Sequence, residues 1–259
     1  MGYTISYVCV SHTGFLRQAN QDNFLCGKKF LPPEHNGTSS PLQGSVKPGH
    51  KALFGIFDGM GGGSKGETAS YLAAKAAYMT PVGPRPLEGL LGFCHRANHS
   101  LRAFKKYYGI GTMGTTATVA AFSDTHVHLC HLGDSRAYRL REGQLTRLTR
   151  DHILTGQAPG KPPLTRYLGM RPEDGEIEPF LAEAPLAPED IYLICSDGLT
   201  DMLTDEEIHG ILSTVPFPSA AEHLLNTALC RGGRDNITLI LCKNQVSARK
   251  PMRIKRLFR

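Results

Sequence analysis

Apolar and polar positions alternate at the start of the chain. Tyr3, Ile5, Tyr7 and Cys9 recur at every second residue, which is the period of a strand, so residues 3–10 are predicted as one and 22–26 as the next. A stretch rich in Pro, Gly and Ser, 28–49, reads as a surface insertion, and the apolar run 51–57 as a buried strand. Residues 66–79 place Ala69, Leu72, Ala73, Ala76 and Ala77 on one helical face. A break at 81–86 precedes a second amphipathic helix over 87–107. Strands return at 115–122 and 126–132 around a Ser-Asp-Thr turn, and a hairpin is predicted from 137–140 and 145–148 around Glu142-Gly143. After a Gly/Pro loop, 156–163, come strands at 177–181 and 191–195, helices at 205–212 and 219–230, and a last strand at 237–242.

Strands and helices do not alternate along this order, which argues against a doubly wound parallel sheet. Hairpin-linked strands with segregated helices fit an antiparallel α+β layered domain. The expected organisation is one domain over 1–244 and a basic tail over 245–259. The tail changes how charge is read. Arg249, Lys250, Arg253, Lys255, Arg256 and Arg259 match the whole formal net charge of +6, so the body is near neutral and no nucleic-acid partner is implied. No apolar run reaches the roughly 18 residues of a membrane span. The first residues lack a secretory pattern; they fit a short myristoylation pattern, but their strand-like alternation favours burial. The seven cysteines contain no Cys-x-x-Cys pair. They read as reduced, mostly buried thiols of a cytoplasmic protein.

The chemistry concentrates in aspartates at strand ends. Asp58, Asp134 and Asp197 follow apolar runs and Asp235 precedes one, and Asp58 and Asp197 are each followed by glycine. A carboxylate at the end of a buried strand is costly unless its charge is compensated. Glycine beside it lets backbone approach, leaving a carbonyl free as a ligand. Such hard oxygen donors suit magnesium or manganese. Any one of these aspartates alone would read as a turn or cap residue; together they point to a metal site. Histidine offers no competing ligand set, because His126, His128 and His131 cannot all share one strand face. Residues 61–66 fit G-x-G-x-x-G, but no second parallel strand follows, so a dinucleotide site is not expected.

The segments Gly14-Phe-Leu-Arg-Gln-Ala-Asn-Gln-Asp, Phe57-Asp-Gly-Met-Gly-Gly, Gly114-Thr-Thr-Ala, Leu132-Gly-Asp-Ser-Arg-Ala-Tyr, Ser196-Asp-Gly-Leu and Arg234-Asp-Asn-Ile-Thr resemble the successive motifs of the protein phosphatase 2C family, in that family's order. The bacterial branch is the more similar, through Asp-Gly-Met-Gly-Gly. The resemblance implies two packed antiparallel sheets flanked by helix pairs. It also implies a metal-dependent protein serine/threonine phosphatase, in which a water or hydroxide bridging two Mn²⁺ or Mg²⁺ ions attacks phosphoserine or phosphothreonine directly. Asp58 would bridge the ions, with the Gly59 carbonyl on one and Asp197 and Asp235 on the other. Asp22 would support the site through water, and Asp134 with Asp197 would hold a third, weaker metal. Arg17 would grip the phosphate. The expected partners are phosphoproteins, those of a serine/threonine kinase. The alternative is a non-catalytic scaffold of the same fold, which loss of metal aspartates would signal.

The chain departs from the pattern in three places. Gln21 stands where members often carry Glu, so weaker support for one metal is expected. Met60 stands where animal members place a histidine acid, and it cannot donate a proton. The loop between His152 and Leu164 is short where the family inserts a flap, so substrate selection is expected to differ.

Overall fold

The computed structural model describes residues 3–48, 52–61, 65–81, 83–154, 156, 161–171, 173, 175 and 177–246. The possible lipidation site at Gly2, the middle of the glycine-rich 61–66 segment and the tail beyond Val246 lie outside them. The strands form two sheets, antiparallel throughout. The first contains β1 (Tyr3–His12), β3 (Leu42–Val46), β8 (Arg136–Arg141), β9 (Gln144–Arg147), β11 (Ile191–Cys195) and β12 (Ile237–Val246), in the order β3-β1-β12-β11-β8-β9. The second contains β2 (Asp22–Leu25), β4 (Leu53–Met60), β6 (Ala117–Phe122), β7 (His126–Leu132) and β10 (Phe180–Pro185), in the order β10-β7-β6-β4-β2, and β5 (Gly114–Thr115) pairs with β4.

Three apolar layers hold these sheets. Phe24, Phe54, Ile56 and Phe122 of one sheet meet Ile5, Tyr192, Ile194 and Ile240 of the other between them. Helices α1 (Gly66–Tyr78) and α2 (Pro86–Tyr108) cover the outer face of the second sheet, where Ala69, Ala73 and Ala77 let α1 lie close and Leu90, Phe93 and Leu101 fill the layer. Helices α3 (Asp197–Thr200), α4 (Asp205–Thr214) and α5 (Ala220–Cys230) cover the first sheet through Leu199, Ile208, Leu212 and Leu224. The predicted α+β fold of two antiparallel sheets between helices is the one observed. Because each sheet is covered on both faces, the central strands read as continuous apolar runs: all of β6 is buried.

The differences have physical reasons. Part of the expected surface insertion is strand β3, an exposed and polar edge strand beside β1. Its Gly44 is required, because a Cβ there would fall 2.6 Å from the Tyr7 hydroxyl. The strand expected at 177–181 is β10, displaced to Phe180–Pro185, and β12 runs to Val246, beyond the 244 boundary expected for the domain. Helix α2 begins on Pro86 and ends at Gly109 with φ 65°, both conformationally suited to those positions.

Candidate metal centre

The sheets present their aspartates at one end of the sandwich. Asp22 opens β2 and Asp58 lies near the end of β4, directly opposite each other in the antiparallel register. Asp134 sits in the turn between β7 and β8, Asp197 begins α3 where β11 ends, and Asp235 precedes β12. Carboxylate oxygens of Asp58, Asp134 and Asp197 come within 4.8 Å of one another. Asp22 and Asp235 flank this group.

Backbone and hydroxyl contacts fix these positions. The Asp58 N–H donates to Thr116 Oγ1 at 2.9 Å, and Thr116 N–H donates to the Asp58 carbonyl at 2.8 Å. Gly59 N–H donates to the Gln21 carbonyl at 3.0 Å; a Cβ on Gly59 would fall 2.6 Å from that oxygen, so the close approach needs glycine. Ser196 Oγ donates to Asp22 Oδ2 at 2.7 Å. Asn236 ties the first loop to β12: its amide donates to the carbonyls of Thr13 and Ala19, at 2.7 and 3.0 Å, and its Oδ1 accepts from Gln21 N–H at 2.8 Å.

So many buried carboxylates raise one another's proton affinity. Burial first, and then the neighbouring carboxylates of Asp22, Asp134 and Asp235, hold Asp58 well above the usual range, against the pull of Lys161. Burial raises Asp22 to about 6 despite the hydroxyls of Ser196 and Thr238. Asp134 is raised by burial too, while Lys161 lowers it. The residues fit a divalent cation. The donors are hard oxygens converging from separate elements, and buried Asp197 Oδ1 has no hydrogen-bond partner. An orphaned buried carboxylate oxygen of this kind calls for a positive charge.

Two cations of the chain itself reach the site. Arg17 Nη2 donates to Asp235 Oδ2 at 2.6 Å while its side chain stays about half exposed. Lys161, which the sequence did not single out, lays its ammonium directly against Asp197 Oδ2 and 3.9 Å from Asp134 Oδ2. Burial opposes the Lys161 charge, but Asp58, Asp134, Asp235 and Asp201 outweigh it and raise the ammonium's pKa. Gln21 is engaged elsewhere: its side-chain amide donates to Glu67 Oε2 on α1 at 3.2 Å. Met60 lines a cleft of about 460 Å³ beside the site, together with Gly61, Pro163, Leu164 and Tyr167.

His128 and His131 stay apart from this chemistry. His131 is fully buried, with Nδ1 2.9 Å from Thr118 Oγ1 and Nε2 3.1 Å from the Arg150 carbonyl. His128 faces Glu183 at 3.2 Å.

A sequence model described as Protein phosphatase 2C matches residues 34–157. Protein phosphatase PhpP of Streptococcus pneumoniae serotype 2 is 32% identical over 210 residues, covering 72% of this chain and 83% of that protein. Serine/threonine protein phosphatase PstP of Mycobacterium tuberculosis is 32% identical over 251 residues, covering 92% of this chain, although the chain spans only 44% of that relative's length. The crystal structure of the PstP catalytic domain in complex with 2 manganese ions superimposes with a TM-score of 0.75 at 28% identity, covering 94% of this chain and 100% of that one. With this fold, the aspartate cluster and a relative matched over most of both lengths, the chain belongs to the protein phosphatase 2C family.

Proposed function

We propose that this chain is a metal-dependent protein serine/threonine phosphatase. The observation that carries the reading is the convergence of Asp58, Asp134 and Asp197 from separate elements, their oxygens within 4.8 Å, around an Asp197 Oδ1 that has no hydrogen-bond partner. Asp58 would contact both ions, the Gly59 carbonyl one of them, and Asp197 and Asp235 the other. Asp22, held by the Ser196 hydroxyl, would act from behind through water, and Asp134 stands beside Asp197 at the end of the cluster that Lys161 reaches. Bound there, manganese or magnesium ions supply Lewis acidity, acidifying water to a nucleophile near neutral pH and offsetting the charge of the phosphoryl oxygens.

The rest of the work falls to the chain's own groups. Arg17, fixed by Asp235 on one side and open to solvent on the other, offers its remaining N–H groups to a phosphate in the planar geometry that guanidinium provides. Met60 has no proton to give, so the leaving alkoxide would take its proton from water, held at the site or in solvent. The cleft of about 460 Å³ beside Met60 adjoins the site. The substrates are phosphoserine and phosphothreonine proteins, those of a serine/threonine kinase. The free thiols suit the reducing cytoplasm, and no helix among the described residues is long and apolar enough to cross a membrane. A non-catalytic scaffold is not favoured, because every aspartate of the expected set is present.

The test is hydrolysis of a small aryl phosphate with manganese. Activity is expected to vanish with EDTA and in Asp197→Asn. A folded wild-type protein with no activity at saturating manganese would overturn the proposal.

A further inference from the structure

The loop that carries Lys161 is closed at its neck. Leu154 N–H donates to the Pro163 carbonyl at 3.0 Å, Thr165 N–H to the His152 carbonyl at 2.8 Å, and Ile153 bridges Leu164. His152 N–H in turn donates to the Gly133 carbonyl at 2.8 Å, and the Gly133 N–H donates to His152 Nδ1 at 3.2 Å. The neck is therefore fastened to the turn that carries Asp134. Lys161 lies two positions before Pro163, so its reach is set relative to Asp134 by these bonds.

Its ammonium uses that reach to enter the cluster at one end, against Asp197 Oδ2 and 3.9 Å from Asp134 Oδ2. A lysine ammonium is a compact point charge on a flexible stem. A divalent ion shared by Asp134 and Asp197 would need the same oxygens and would be repelled by the same charge. Asp197 Oδ1 has no hydrogen-bond donor, and Asp58, which feels the Lys161 charge only through space, makes no ion pair with it as Asp134 and Asp197 do, so that side of the cluster can still take cations.

Building on the metal-centre reading above, we propose that Lys161 is a built-in cation of this site: it holds the Asp134–Asp197 end of the carboxylate cluster, and the chain takes two divalent ions there but no third. The lysine is a positioning residue. It lies against Asp197 Oδ2 and leaves Oδ1 without a hydrogen-bond donor.

The experiment is manganese binding to the full chain, measured by isothermal titration calorimetry and by metal analysis after equilibrium dialysis. Wild type, Lys161→Ala and Lys161→Arg are compared, with circular dichroism confirming that each is folded. Wild type and Lys161→Arg are expected to take up about two ions, as paired-metal hydrolases do. Lys161→Ala is expected to gain a third site at least tenfold tighter than any third binding in wild type. Equal third-site binding in wild type and Lys161→Ala, or a third ion in neither, overturns the inference while leaving the two-metal centre standing. A wild-type chain that binds no manganese overturns the metal centre and the inference with it.

Discussion

Lowering the pH should expose the cost of keeping His131 neutral. This ring is fully buried on β7, one turn from Asp134, with both nitrogens engaged. Nε2 faces a carbonyl and must donate, Nδ1 lies against the Thr118 hydroxyl, and burial favours the neutral ring. Burial, with His152 stacked 4.8 Å away, lowers its pKa from 6.5 to about 3. Below pH 6.5 the unfolded chain therefore binds a proton that the native one refuses, and stability falls as pH falls, down to about 3. At about 1.4 kcal/mol for each pH unit, the interval from 6.5 to 5 costs about 2 kcal/mol. Asp22, raised to about 6, acts in the opposite sense, gaining stability as pH falls toward the usual carboxylate range. A comparison with His131→Gln cancels it. Urea denaturation in EDTA at pH 7.5 and 5.0 should show wild type losing about 2 kcal/mol more than the variant over that interval. Parallel losses in the two proteins would refute this account of His131.

Three further outcomes follow from contacts at the metal centre. Arg17→Ala should raise KM for a phosphothreonine peptide roughly tenfold or more, the worth of a hydrogen bond to a charged group, and should tighten manganese binding by freeing Asp235; steady-state kinetics and calorimetry read the two effects. Ser196→Ala removes the hydroxyl that donates to buried Asp22 at 2.7 Å and should cost about 1–3 kcal/mol in urea denaturation. Gly198→Ala drives a Cβ into the Asn236 carbonyl, which cannot retreat because the Asn236 side chain holds the first loop; a loss of about 1–3 kcal/mol is expected from thermal melting.

The parts legible in the sequence were those where burial changes abruptly. Strands covered on both faces are apolar throughout, so the aspartates ending them at Asp58, Asp134 and Asp197 stood out, as did Asp235 before β12. Strand β3 was hidden because an exposed edge strand needs no apolar pattern, and its Gly44, demanded by the Tyr7 ring, reads locally as loop. Helix α3 spans only Asp197–Thr200, too short for a period to show. The roles of Thr116, Ser196 and Asn236 depend on partners far along the chain: Asn236 bonds to Thr13 and Ala19. Lys161 was least visible, since a lysine in a Gly/Pro loop looks solvated until the neck of that loop aims it at Asp197. The reading of Gln21 as weakened metal support acquires a different content, because its side chain is committed to Glu67.

The central claim is that the aspartate cluster turns over phosphoproteins with the help of bound cations. Phosphate release from a phosphothreonine peptide, followed with increasing manganese in wild type and Asp58→Asn, tests it most directly. The account predicts saturable, manganese-dependent release by wild type and none by the folded variant. Release that is independent of manganese, or that survives in Asp58→Asn, would contradict it.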